Sequence, residues 1–211
     1  TFLALGARNV ILPGFDPVVL VGPEAARFVL VEARGELRWR NEADPVTRLL
    51  RHGVLVEDGE SHDALRRLMT PALHKQMLTG YLEAMWRAAA QVSAGWDAST
   101  PRDMLVEARR MTLLILMDSL YSVDFAPAMD RLWGPILSAI GFISPGPWIV
   151  WPGIPRPQYR QALARLDGYL YDVIRQRRHA VETASGEPSD LLGALIQAGL
   201  DDDLIRDQLL T

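Results

Sequence analysis

Cysteine is absent from all 211 residues, so the chain has neither a disulfide framework nor a thiolate metal site. That excludes the small secreted scaffolds and the zinc ribbons, and a reducing cytoplasm is the expected setting. Lysine is almost absent too: Lys75 is the only one among 22 basic residues, a bias that carries no functional conclusion. Positive charge is in the minority, with a formal net charge of -4. A general nucleic-acid or anionic-membrane binder needs a surplus of Lys and Arg to neutralise phosphates, so neither is expected. No apolar run approaches the roughly 20 residues that cross a bilayer, and the N-terminus lacks the basic-then-apolar layout of a signal peptide. The expectation is a soluble chain with no membrane span. Familiar catalytic spacings are missing as well. His52, His62, His74 and His179 form no His-Glu-x-x-His pair, no Gly-rich phosphate loop follows the first strand, and there is no Gly-x-Ser-x-Gly elbow. Zinc hydrolysis, nucleotide binding and serine hydrolysis therefore lack support, and no catalytic residue or metal ligand is assigned. The six tryptophans, without a basic surface, read as core and loop-packing residues rather than as a stacking platform for nucleic acid.

What is present is an ordinary globular composition, 49% hydrophobic and 23% charged, able to bury a sizeable core. Val18-Val19-Leu20-Val21 reads as a buried strand closed by Gly22-Pro23, residues 24–31 as a helix, and Leu37-Arg38-Trp39-Arg40 as a second strand. From Asp44-Pro45 onward the apolar period is helical. Helices are expected over 59–70, ended by Pro71, and over 77–96, with Leu78, Leu82, Met85, Ala89 and Val92 on one stripe. Another is expected over 102–121, whose run 111–117 is nearly free of polar groups and belongs at the centre of a bundle. Further helices fall at 130–143, 158–178, 190–197 behind a Ser189 or Asp190 cap, and from Asp201-Asp202-Asp203, whose acids suit a helix N-terminus. Residues 184–189 read as a flexible link. The expected fold is mainly α with a small β-sheet region near the N-terminus, organised as a mixed α/β part over 1–45 and a helical part over 46–211 of one incomplete domain. The connection at 144–157, dense in Pro, Gly and Trp, is too apolar for an ordinary loop and is expected to lie over an apolar opening or a membrane surface.

The stretch Gly59-Glu60-Ser61-His62-Asp63-Ala64-Leu65-Arg66-Arg67-Leu68-Met69-Thr70-Pro71 offers His62 and Arg66 four apart on one helix, so both side chains reach the same group. A carboxylate there accepts charge-assisted hydrogen bonds, about twice as strong as neutral ones. The bland alternative is an exposed helix carrying such a pair by chance. Arg67 is expected to point elsewhere, as a solvated charge.

This stretch resembles the C-helix region of the cytochromes P-450, the haem-thiolate monooxygenases, in the form with His rather than Trp ahead of the Arg. The other landmarks follow in the family's order. Residues 18–31 look like its first sheet hairpin and helix, and 102–125, ending Ser119-Leu120-Tyr121-Ser122-Val123-Asp124-Phe125, are similar to its E helix. Residues 155–178, ending Val173-Ile174-Arg175-Gln176-Arg177-Arg178, are similar to its G helix. Asp190-Leu191-Leu192-Gly193-Ala194-Leu195 and Leu204-Ile205-Arg206-Asp207-Gln208-Leu209-Leu210-Thr211 look like the approach to its I helix. The resemblance implies a partial P-450 fold truncated at the start of that helix.

It also implies haem as cofactor, with His62 and Arg66 on its propionates, and an apolar small-molecule substrate contacted by Val54, Leu55, Phe142 and Trp148. The connection at 144–157 corresponds to the family's substrate lid. A separate redox partner protein supplies electrons in such a system. The family's Ala-Gly-x-x-Thr segment, Glu-x-x-Arg pair and haem-ligating Cys are missing from the sequence. Two alternatives stay open: the N-terminal portion of a haem monooxygenase, or a truncated, haem-free helical binding module that covers its exposed apolar surface as a homo-oligomer.

Overall fold

The computed structural model describes residues 7–9, 18–73, 78–144, 146, 154, 159–183 and 190–211. Strands β1 (Ala7–Asn9) and β2 (Val18–Leu20) form an antiparallel pair in which Arg8 faces Val19. Helix α1 (Pro23–Arg27) follows, with proline in its first turn where a missing N–H costs nothing, and a wider π-helical turn (Phe28–Glu32) ends it.

The strand expected at 37–40 does not form. Its backbone donors go elsewhere: the amides of Trp39 and Arg40 both donate to the Asp58 carboxylate, at 3.0 and 2.9 Å. Those two bonds hold the Asp58 carboxyl below the usual carboxylate range. They also leave α3 (Gly59–Met69) without a side-chain cap, although Asp58 occupies the N-cap position. Three other short helices are capped in the ordinary way. Asp44 accepts from the Val46 amide at the start of α2 (Pro45–Leu50), Asp190 from Gly193 at the start of α8 (Leu191–Gln197), and Asp201 from Leu204 at the start of α9 (Asp202–Leu210).

The longer helices are α4 (Leu78–Ser93), α5 (Met104–Tyr121), α6 (Ala126–Ile143) and α7 (Arg160–Thr183). Helix α6 begins a turn earlier than its apolar pattern suggests, because Pro127 suits a first-turn position. Helix α4 packs on α5, α6 on α7, and α7 on both α8 and α9. The core centres there: Ile174, Leu192, Leu195 and Ile205 are completely buried.

Two expectations are corrected. Helix α5 is not the centre of the bundle; it buries Met117, Ser119 and Tyr121 near its C-terminus and leaves Met104, Leu105 and Leu116 exposed. A helix apolar on all sides has no preferred inward face; among the described residues this one packs mainly on α4 and less on α8, and reaches α6 through Arg110, which pairs with Asp130 and lies over the Trp133 ring. Helix α4, in turn, buries Tyr81, Ala84 and Ala88, the two alanines allowing close approach to α5, while Leu82, Met85 and Trp86 face outward, Trp86 at 71% exposure. Among the described residues no single helix is long and apolar enough to cross a membrane, and α5 and α6 together are bent by 117°. The expected link at 184–189 and nearly all of the connection at 144–157, Trp148 included, lie outside the described residues.

Candidate functional site

Helix α3 turns Leu65 fully inward and His62, Leu68 and Met69 partly so, leaving Arg66 and Arg67 on the outer side. That outer side borders a pocket of about 460 Å³ lined by Arg34, Asp63, Arg66, Arg67, Thr70 and Pro71. Arg34 Nη2 donates to Asp63 Oδ1 at 2.7 Å, the His62 ring Nδ1 lies 3.0 Å from the same oxygen, and Arg67 Nε donates to the Asp63 carbonyl at 3.2 Å. The hydrogen bond from His62, with the charges of Arg34, His62 and Arg67, holds the Asp63 carboxyl below its ordinary range. One carboxylate thus faces three guanidiniums. The Arg66 guanidinium has no acceptor among the described residues.

This arrangement suits an anion. Arg66 presents a planar fork of donors to a pocket with net positive lining, the geometry that takes a carboxylate in bidentate fashion. His62 reaches the pocket through Asp63 rather than by lining it. Because Asp63 can only accept, the ring proton of that contact sits on Nδ1, and Nε2 donates to a second carboxylate only when the ring is doubly protonated. Arg67 does not point elsewhere: spaced four residues from Asp63, it shares that face and forms part of the same pocket wall.

The proposed substrate contacts are scattered. Val54 is half-buried, its neighbour Leu55 is 61% exposed, and Phe142 is buried at the end of α6 with its ring stacked on Tyr159 at 3.7 Å between centroids.

Sequence reasoning missed a second polar constellation. Arg206, Asp207 and Gln208, consecutive on α9, are at most 2% exposed. Arg206 Nε donates to Asp167 Oδ1 at 2.7 Å, and its Nη1 donates to Asp207 Oδ1 and to the Leu49 carbonyl, both at 3.0 Å. Arg51 stands within 3.5 Å of Asp167, Asp203 and Asp207. The available signal was helical geometry: three polar residues in succession sweep more than half the circumference, so one of them at least had to face inward between Ile205 and Leu209.

A family model described as Cytochrome P450 matches residues 10–211. Cyclooctatin synthase of Streptomyces melanosporofaciens is 26% identical over 228 aligned positions, covering 99% of this chain and 46% of that protein. Cyclooctat-9-en-7-ol 5-monooxygenase of the same organism is 25% identical, over 90% of this chain and 43% of that protein. The solved structure of retinoic acid bound cyanobacterial CYP120A1 superposes with a TM-score of 0.75 at 20% identity, over 97% of this chain and 47% of that one, a likeness of fold alone. The chain spans a little under half the length of these relatives.

Proposed function

We propose, since this chain belongs to the cytochrome P450 family, that it provides a propionate clamp and part of the substrate cavity of a haem monooxygenase that oxidises an apolar small molecule. The observation that carries the reading is the unengaged Arg66 guanidinium at a pocket shared with Arg34 and Arg67. Arg66 and His62 would hold the haem carboxylates, with Asp63 orienting the His62 ring at its Nδ1. Haem held there would supply oxygen activation, a chemistry that in this family depends on a cysteine thiolate. No residue of this sequence is a cysteine, so the chain's own part is binding and orientation. Val54, Leu55, Phe142 and Trp148 contact the substrate. Its apolar class is supported by relatives named for cyclooctatin synthesis and for cyclooctat-9-en-7-ol oxidation. A separate redox partner protein delivers electrons.

Haemin titration of the chain, followed by absorption, tests the clamp. A saturable spectrum is expected, weakened about tenfold or more in both His62→Ala and Arg66→Ala, since a hydrogen bond to a charged group contributes about 1.5–3 kcal/mol. Saturable binding that neither variant weakens would refute it. One observation favours a second reading, a haem-free self-associating module: the outward apolar stripe of Leu82, Met85 and Trp86 on α4. That reading gives no saturable haemin spectrum, and a mass that rises with protein concentration.

A further inference from the structure

The short turn between α2 and α3 carries Val54 and Leu55. It has bonds of its own, from the Gly53 amide to the Leu50 carbonyl at 2.8 Å and from the Val56 amide to the Gly53 carbonyl at 3.0 Å, and Arg40 Nη1 donates to the Arg51 carbonyl at 2.7 Å. Arg51 sits at φ 49°, a conformation that a non-glycine residue adopts only when its surroundings impose it. The His52 and Val54 amides are held from about 155 residues away, on α9. Asp207 Oδ2 accepts from the His52 amide at 3.1 Å. Gln208 binds the next peptides from both sides, Oε1 accepting from the Val54 amide at 2.9 Å and Nε2 donating to the His52 carbonyl at 3.0 Å. Arg206 holds the Leu49 carbonyl just upstream. Between these anchors Gly53 lies so close to α9 that an added Cβ would stand 2.0 Å from Thr211 Oγ1 and 2.9 Å from the Asp207 carbonyl. Asp207 and Gln208 are both buried, so these bonds are shielded from competing water.

We infer that Asp207 and Gln208 are positioning residues for the ligand cavity: they template the Arg51–Leu55 turn on α9 and thereby set where Val54 and Leu55 meet an apolar ligand. The cavity role rests on the assignment of Val54 and Leu55 as substrate contacts under the proposed function. A side-chain amide that accepts from one peptide and donates to its neighbour fixes rotation as well as distance, which a single bond or an apolar contact does not. Gln208 is the stronger determinant of the two for that reason.

The test uses the whole chain with dodecanoate as a probe with a long apolar tail, and acetate as the control for binding through the carboxylate alone. Gln208→Met keeps the volume and removes both bonds, while Gly53→Ala lifts the turn off α9 and leaves every α9 side chain in place. In Gln208→Met the Val54 amide, and in Gly53→Ala both the His52 and the Val54 amides, are expected to exchange about tenfold faster with deuterium, the equivalent of one lost hydrogen bond each, while the core amide of Ile174 keeps its rate. Dodecanoate affinity is expected to fall by a similar factor. Acceleration of all amides together would show that Gln208 supplies general stability only, and would overturn the inference. So would unchanged dodecanoate affinity in Gln208→Met when Val54→Asp weakens binding. If Val54→Asp leaves dodecanoate binding unaltered, the substrate assignment itself fails and takes the cavity role with it, while the amide rates still report separately on whether α9 holds the turn.

Discussion

Replacing Arg206 with methionine is the most severe single perturbation the structure offers, and its size follows from the partners left behind. The guanidinium is completely buried and donates to Asp167, Asp207 and the Leu49 carbonyl. Methionine fills most of the space and satisfies none of these. Asp207, 2% exposed, keeps the His52 amide and a 3.5 Å approach from Arg51, but loses its closest counter-charge. Breaking a buried pair from one side costs about 3–5 kcal/mol, because the remaining charge is stranded. With a urea slope on the order of 3 kcal/mol per molar for a chain of this size, the unfolding midpoint should drop by roughly 1–2 M at unchanged slope. Adding Asp207→Asn to Arg206→Met removes the stranded charge and keeps the acceptor for His52, so the double variant should recover about 1–3 kcal/mol relative to the sum of the singles. A loss under about 1 kcal/mol for Arg206→Met, or strictly additive singles, would refute the argument that this pair is coupled in the interior.

Two further outcomes follow from other parts of the chain. Leu192→Ala at the junction of α7, α8 and α9, where the side chain is fully buried, should cost about 2–5 kcal/mol in chemical denaturation, from lost transfer energy plus the cavity; a cost near that of a surface substitution would mean the core lies elsewhere. Asp97 accepts from the Ser99 hydroxyl and the amides of Ser99 and Thr100, which pull its carboxyl down to about 2 from 3.8. A depressed folded-state value stabilises above the unfolded value and is lost as pH falls from about 4 towards 2, so Asp97→Asn should flatten that part of an acid-unfolding profile, and a carboxyl resonance titrating near 4 would contradict it.

Most of the helical layout was legible because it depends on local rules. Pro23 and Pro45 mark first turns, Asp44, Asp190 and the acids from Asp201 mark helix starts, and apolar spacing marks what lies between, although Pro127 marks a first turn that the apolar spacing passed over. The failures share a physical cause, competition from distant groups. Leu37 to Arg40 alternates as a strand does, but nothing in those four residues reveals that Asp58 claims two of their amides. The outward face of α4 was misjudged because Leu and Met stripes look like core, whereas Ala84 and Ala88 supply the closer packing. At the candidate site helix period sets His62 and Arg66 four apart on α3, but it does not show that only Arg66 lines the pocket, nor that Arg34 and Asp63 join it through a contact 29 residues apart. The polar cluster on α9 showed in the sequence only as three successive polar residues, and its distant partners Asp167, Leu49 and His52 did not show at all.

The tether between Gln208 and the Arg51–Leu55 turn has a consequence for biogenesis. At a synthesis rate of ~5–20 residues per second, the interval between the emergence of His52 and that of Gln208, 156 positions later, is on the order of 10–30 s. Throughout that interval the His52 and Val54 peptides lack their eventual partners on α9. The turn is thus made well before the helix that holds it, and takes its full set of bonds only once α9 has left the ribosome.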